Sequence, residues 1–146
     1  MMEIIRELPP IYQEIIEAGM CPNLLTTTFA FGDKLYVPNK DLVVSDHLMC
    51  HEELHAEQQG HTEEGALRWW NRYILDTYFR IDQEAKAYAA QYDFICQHHQ
   101  RDRNRRNIVL NDLGRILASP TYGAALSPTD AKNIIKKNTK THAMHT

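Results

Sequence analysis

Cysteine is scarce in this chain: three in 146 residues, Cys21, Cys50 and Cys96, none of them in a CxxC pair. An odd, scattered set supports neither a disulfide framework nor a cysteine zinc site. Cys50 and Cys96 fall in apolar helical patterns, where a free thiol packs as a small hydrophobe, and a reducing compartment suits them. Long apolar runs are missing too. No stretch approaches the roughly 20 residues that cross a bilayer. The opening MMEIIRELPPIYQEII mixes charged with apolar residues and has no signal peptide's uninterrupted apolar core. The expectation is a cytoplasmic protein with no membrane partner. Nor does one charge dominate: 16 basic against 19 acidic residues leave a formal net charge of −3. The chain as a whole thus has no electrostatic reason to seek nucleic acid or anionic lipid. Internal repeats and low-complexity tracts are not found.

What is present reads as one globular domain. At 43% hydrophobic and 24% charged residues the composition matches soluble domains rather than disordered chains. Ile4, Ile5, Leu8, Ile11, Ile15 and Ile16 recur at helix-like spacing, but Pro9 and Pro10 interrupt any helix there. The reading is a short turn, then a helix over 10–18 stopped by Gly19. TTTFAFGDKLYVPN is β-branched and aromatic with Gly32-Asp33 at its middle, and predicts a hairpin with strands over 26–31 and 34–37, the one β element expected. Ser45 offers an N-cap to SDHLMCHEELHAEQQ, a helix ending at Gly60. Helical patterns follow in HTEEGALRWWNRYILDTYF, where Gly65 weakens the start, and in IDQEAKAYAAQYDFICQHH. RDRNRRNIVLNDLGRILAS is helical after a basic opening read as loop, because positive charge opposes the dipole of a helix N-terminus. Ser127-Pro128-Thr129-Asp130 opens a last short helix. The fold class is mainly α with a small β-hairpin, an α+β single domain over 1–146. Its core lies at about 26–96, followed by a helical extension over 101–138 and a frayed tail over 139–146.

The chemistry is carried by His51-Glu52-Glu53-Leu54-His55, an HExxH motif inside a predicted helix. Residues four apart share a helix face, so both imidazoles can reach one ion. Glu52 is rotated about 100° from His51, away from the ligand position but within reach of a zinc-bound water. Imidazole ligands leave zinc strongly electrophilic, and a neighbouring carboxylate can take the water's proton and return it to a leaving amine. A catalytic zinc usually takes three protein ligands. The best third candidate is Glu84, at the edge of the stripe formed by Ile81, Ala85, Tyr88, Ala89, Tyr92 and Ile95, where an unpaired carboxylate is out of place. The alternative is a pair with Arg80 one turn earlier. Asp82, Asp76, His61 and Glu64 are the reserves, with His61 the strongest rival.

HExxH with a glutamate on a later helix resembles the gluzincin branch of the zincin metallopeptidases. HEELHAEQQG followed by WWNRYILDTYFRIDQEAKAYAAQY is similar to small phage and bacterial zincin-like proteins with an HExxHxxQQ helix and a downstream QExxAY helix. The resemblance covers roughly 28–92 and implies a minimal zincin-like core. It carries over His51, His55 and Glu84 as zinc ligands, Glu52 as general base, and an edge strand near 28–31 that can align a peptide substrate. The chain is too short for the fuller sheet and second lobe of larger gluzincins. No oxyanion donor is assigned by motif; Tyr88, Tyr78, Tyr73 and Arg80 are candidates.

The remaining features have plainer readings. Gln58 and Gln59 can orient His55 or simply be exposed. His47 is read as solvated near the helix start, and Trp69 and Trp70 as core with a pocket-lining option. Arg101, Arg103, Arg105 and Arg106, with Lys132, Lys136, Lys137 and Lys140, can touch phosphate, but without interleaved aromatics they read as a solvated surface. The pairs His98–His99 and His142/His145 are weak metal signals. The leading expectation is a zinc-dependent hydrolase, a metallopeptidase acting on a peptide or protein substrate. The main rival is a non-catalytic zinc-binding interaction or inhibitor protein of phage type on the same scaffold. A nucleic-acid accessory role through the arginines comes third.

Overall fold

Gly32 and Asp33 turn the chain between two short strands, β2 (Phe29–Phe31) and β3 (Lys34–Tyr36), with Gly32 in the left-handed region at φ 68°. The pair is antiparallel, Phe29 opposite Tyr36 and Phe31 opposite Lys34. Both strands are shorter than expected. Residues 26–28 leave the ladder because Asn23 draws that segment into a turn, its carbonyl accepting from the hydroxyls of Thr26 (3.3 Å) and Thr27 (2.6 Å). The hairpin is also not the whole sheet. Glu3–Ile5, read from its spacing as part of a turn, forms β1, parallel to β3, and the order is β1-β3-β2. A short apolar run before a proline pair has the same periodicity signal in a strand as in a helical turn, and only pairing with a distant strand separates them. The structure, a computed structural model, describes residues 2–99 and 101–140. His142 and His145 lie outside the described residues.

The helices follow their caps. Helix α1 (Tyr12–Glu17) begins after Ile11, which sits at φ 55°. In α2 (Asp46–Gln58) the Ser45 hydroxyl accepts the Leu48 N–H. Asp76 separates α3 (Glu63–Leu75) from α4 (Thr77–His98), accepting the Phe79 N–H at 3.1 Å. Helix α4 thus starts four residues before Ile81, where its pattern first becomes regular. The basic run is helix rather than loop: α5 (Arg103–Leu117) is capped by Asp102, whose carboxylate accepts the Arg105 N–H (2.9 Å) and offsets the positive first turn. A 3-10 turn at Pro120–Tyr122 leads to α6 (Pro128–Lys137). The tail is anchored at its start, since Thr139 is buried and the Lys140 N–H donates to Asp93 at 2.8 Å.

Helix α4 is the spine. One side packs on α2, and the other closes an apolar cluster of Ala85, Leu110, Leu113, Leu117 and Ile135 with α5 and α6. A second cluster joins Ile15, Phe29, Phe31, Trp69 and Trp70 between α1, the hairpin and α3. A third, including Leu35, Val37 and Met49, seats α2 on the sheet. Among the described residues no helix is long and apolar enough to cross a membrane.

Gly65 is required by a close approach rather than being a weak point of α3. A Cβ there would lie 1.8 Å from the Gln59 carbonyl oxygen, where α3 turns back against the end of α2. Gly65→Ala is expected to destabilise the fold by about 3 kcal/mol, the upper end of overpacking costs. Urea unfolding measures this, and a loss below about 0.5 kcal/mol would contradict the contact.

Candidate metal centre

Where α2 crosses α4, three side chains converge. His51 and His55 stand one helical turn apart with Nε2 atoms 3.2 Å from each other. Glu84 Oε1 reaches both, at 3.1 Å from His51 and 2.6 Å from His55. All three residues are at most 5% exposed. The Tyr73 hydroxyl donates to Glu84 Oε2 (2.8 Å), which turns the other carboxylate oxygen toward the imidazoles. Arg80 does not pair with Glu84. Its guanidinium donates to the carbonyls of Tyr73 (2.9 Å) and Ile74 (2.8 Å) at the end of α3.

Proton placement makes this group suited to a cation. His55 Nδ1 donates to Gln58 Oε1 at 2.8 Å, and the same amide donates to the Gln83 carbonyl at 3.1 Å, which fixes which way it faces. His51 Nδ1 meets Gln91 Oε1 at 3.1 Å. With a hydrogen on each Nδ1, both Nε2 atoms face one carboxylate oxygen, a position that either a proton or a metal ion can fill. Electron-rich atoms buried together need a positive charge between them. The three ligand atoms lie within 4.8 Å of one another. Tetrahedral bonds of about 2.0–2.1 Å separate ligand atoms by about 3.3 Å. The His51–His55 (3.2 Å) and His51–Glu84 (3.1 Å) edges are close to that spacing, while the 2.6 Å His55–Glu84 edge is that of a shared proton.

That proton shows in the electrostatics. Burial disfavours the charged imidazole of His55, but the Glu84 carboxylate beside it carries its pKa up to about 9. Burial likewise opposes the charge on Glu84, yet the imidazoles of His55 and His51 hold it well below the usual carboxylate range. A proton and a metal ion therefore compete for the same lone pair. Uptake of a divalent cation at pH 7 is expected to release about one proton per ion, and apparent affinity should climb with pH until about 9 and then level off. Calorimetry in buffers of different ionisation enthalpy counts the protons. A release of zero would contradict the raised His55.

The centre forms the floor of a cleft of about 400 Å³. Glu52 lines it beside the ligands and accepts the Thr28 hydroxyl at 3.1 Å. Burial pushes the Glu52 carboxyl upward and the Glu84 charge adds to this, while the imidazoles of His51 and His55 and the Thr28 hydroxyl pull it down. The 26–28 segment also lines it, as do Ile116 of α5 and Thr121 and Tyr122 of the 3-10 turn after it. Among the oxyanion candidates, Tyr78 is 85% exposed, and Tyr73 and Arg80 are engaged as described. Tyr88 remains: its ring meets His51 edge-on at 4.5 Å, and its hydroxyl lies 2.7 Å from that of Tyr122. Tyr122 carries no motif signal and is found only through the fold.

The other expected residues sort clearly. His61 is exposed beyond the end of α2, Asp82 pairs with Lys86, Glu64 with Arg68, and Asp76 is a helix cap. Among the described residues His51, His55 and Glu84 are the one group of three or more such ligands. His47 is not simply solvated; its Nδ1 meets Gln91 Nε2 at 2.9 Å. Trp69 and Trp70 are both core and cleft lining. The outer edge of β2 is already filled at Ala30, whose carbonyl accepts from Gln59 and Trp70 (both 3.0 Å), and at Gly32, whose N–H donates to Gln59 (2.7 Å). Gln59 is thus a buried clamp, and the backbone left beside the metal centre is the 26–28 segment. Arg101, Arg103 and Arg105 are exposed, and the Arg106 guanidinium donates to the His99 carbonyl. His98 Nδ1 is bonded to its own helix at Phe94. The chain matches no protein-family model, no curated protein and no solved structure.

Proposed function

We propose that the protein is a zinc-dependent hydrolase, a zincin-like metallopeptidase with Glu52 as general base. The observation that carries this reading is the meeting of two imidazole Nε2 atoms and one carboxylate oxygen in a cleft that a further carboxylate also lines. A His/His/carboxylate set suits zinc, which when bound polarises a carbonyl and makes water more acidic. The protein's own groups supply the rest. Glu52, held by Thr28, accepts the proton of the attacking water and passes it to the departing amide nitrogen, so that one carboxyl serves as base and then as acid. Its burial keeps the carboxyl's proton affinity above that of an exposed glutamate, which favours taking the proton up. Glu84 holds a single negative charge opposite the two imidazoles. In the Tyr88–Tyr122 pair one hydroxyl donates to the other, which leaves one O–H to donate to the oxygen on which charge develops.

The test is a metal-reloading experiment. Protein stripped by a chelator and reloaded with zinc should bind about one ion per chain and cleave members of an unstructured peptide pool, read by mass spectrometry. Stripped protein should leave the pool intact. One zinc bound per chain with no peptide cut would contradict the hydrolase and favour a non-catalytic zinc-binding interaction protein.

A further inference from the structure

Both candidate ligands are backed by a neutral side-chain amide. His55 Nδ1 meets Gln58 and His51 Nδ1 meets Gln91, at 2.8 and 3.1 Å. Histidine ligands commonly rest on a carboxylate, a backbone carbonyl or water, which fix the tautomer and the ring's rotation. Here each amide is itself held from behind. Gln58 Nε2 donates to the Gln83 carbonyl on α4 (3.1 Å), and the Gln83 side chain accepts the Trp69 indole N–H (2.8 Å). Gln91, 7% exposed, reaches His47 at 2.9 Å, one turn before His51 on α2. The two bridges run in opposite senses, one from α2 to α4 and one from α4 to α2, and each passes through a ligand's Nδ1.

We infer that Gln58 and Gln91 are positioning residues for the metal centre, locking the Nε2 lone pairs of His55 and His51 toward Glu84 without adding charge. The inference rests on the metal-centre reading above. An isolated imidazole divides between two tautomers, and only one presents Nε2 as a ligand when the ring is oriented this way. A carboxylate in place of either amide would fix the same tautomer but would also make the imidazole more basic and add negative charge. The amides therefore leave Glu84 as the sole anion touching the ligand nitrogens among the described residues. A purely structural role, as ties between α2 and α4, makes a different prediction, because it does not depend on an acceptor facing Nδ1.

The experiment measures zinc affinity by competition with a chromophoric chelator, with cobalt absorption spectra as a second readout. Gln58→Met and Gln91→Met keep side-chain length but lose the acceptor, and should weaken zinc binding roughly 10–100-fold. Gln58→Glu and Gln91→Glu restore an acceptor and should recover most of that loss, with cobalt bands displaced because the backed imidazole is more basic. Gln58 is half-buried at a helix end, so Gln58→Met decides the matter if Gln91→Met does not fold. Folded Met variants that bind zinc as wild type does would overturn the inference. So would Glu variants that lose as much as the Met variants. Wild-type protein that binds no zinc would sink the metal centre itself, a distinguishable failure.

Discussion

Glu52→Gln is expected to take up zinc as wild type does and to lose peptide hydrolysis by roughly 10²–10⁴-fold, the usual contribution of a general acid–base. The substitution is nearly isosteric, so the buried position stays filled and the Thr28 hydroxyl keeps an acceptor. Glu52 makes no hydrogen bond to either imidazole, whose nitrogens are taken up by Gln58, Gln91 and Glu84. What disappears is the ability to hold a proton between the attacking water and the departing nitrogen. Parallel metal analysis and peptide-cleavage rates check both halves. A variant retaining activity within about tenfold would remove Glu52 from the mechanism, because such a loss lies below the range for this role.

Glu84→Gln is expected to weaken zinc binding by roughly 10²–10³-fold. Zinc sites of four ligands bind with about 10–16 kcal/mol, or about 2.5–4 kcal/mol per ligand, which converts to roughly that range. The same change removes the charge that sustains the His55 imidazolium, so in the metal-free protein the His55 pKa should fall from about 9. Zinc competition titrations and NMR titration of the imidazole resonances read the two effects. His61→Ala, at an exposed position outside the centre, should change neither. Equal losses from the Glu84 and His61 variants would reassign the third ligand.

The parts of the site that a reader of the sequence could find were those encoded by spacing along one helix. His51 and His55 follow from a four-residue separation, and Glu84 from a carboxylate set into an apolar stripe. The residues that surround the group come from several elements. Gln91, Tyr73, Thr28 and Tyr122 reach the centre because α2 crosses α4 and because the hairpin and the C-terminal helices close around that crossing. Periodicity carries no information about a crossing. The helices were legible from caps such as Ser45 and Ser127, whereas β1 was not, since three residues beside a distant strand leave no local signature. Gly65 illustrates the same limit. Its helix propensity suggests a weak start to α3, and its actual constraint is the carbonyl of Gln59, the residue that caps the preceding helix.

A crystal of zinc-loaded wild-type protein, with anomalous differences recorded on both sides of the zinc edge, decides whether His51, His55 and Glu84 hold an ion together. One strong peak is expected, bonded to Nε2 of His51, Nε2 of His55 and Glu84 Oε1, with a free coordination position open to the cleft beside Glu52. A crystal grown in ample zinc whose two rings turn away from each other, with no peak between them, would contradict it.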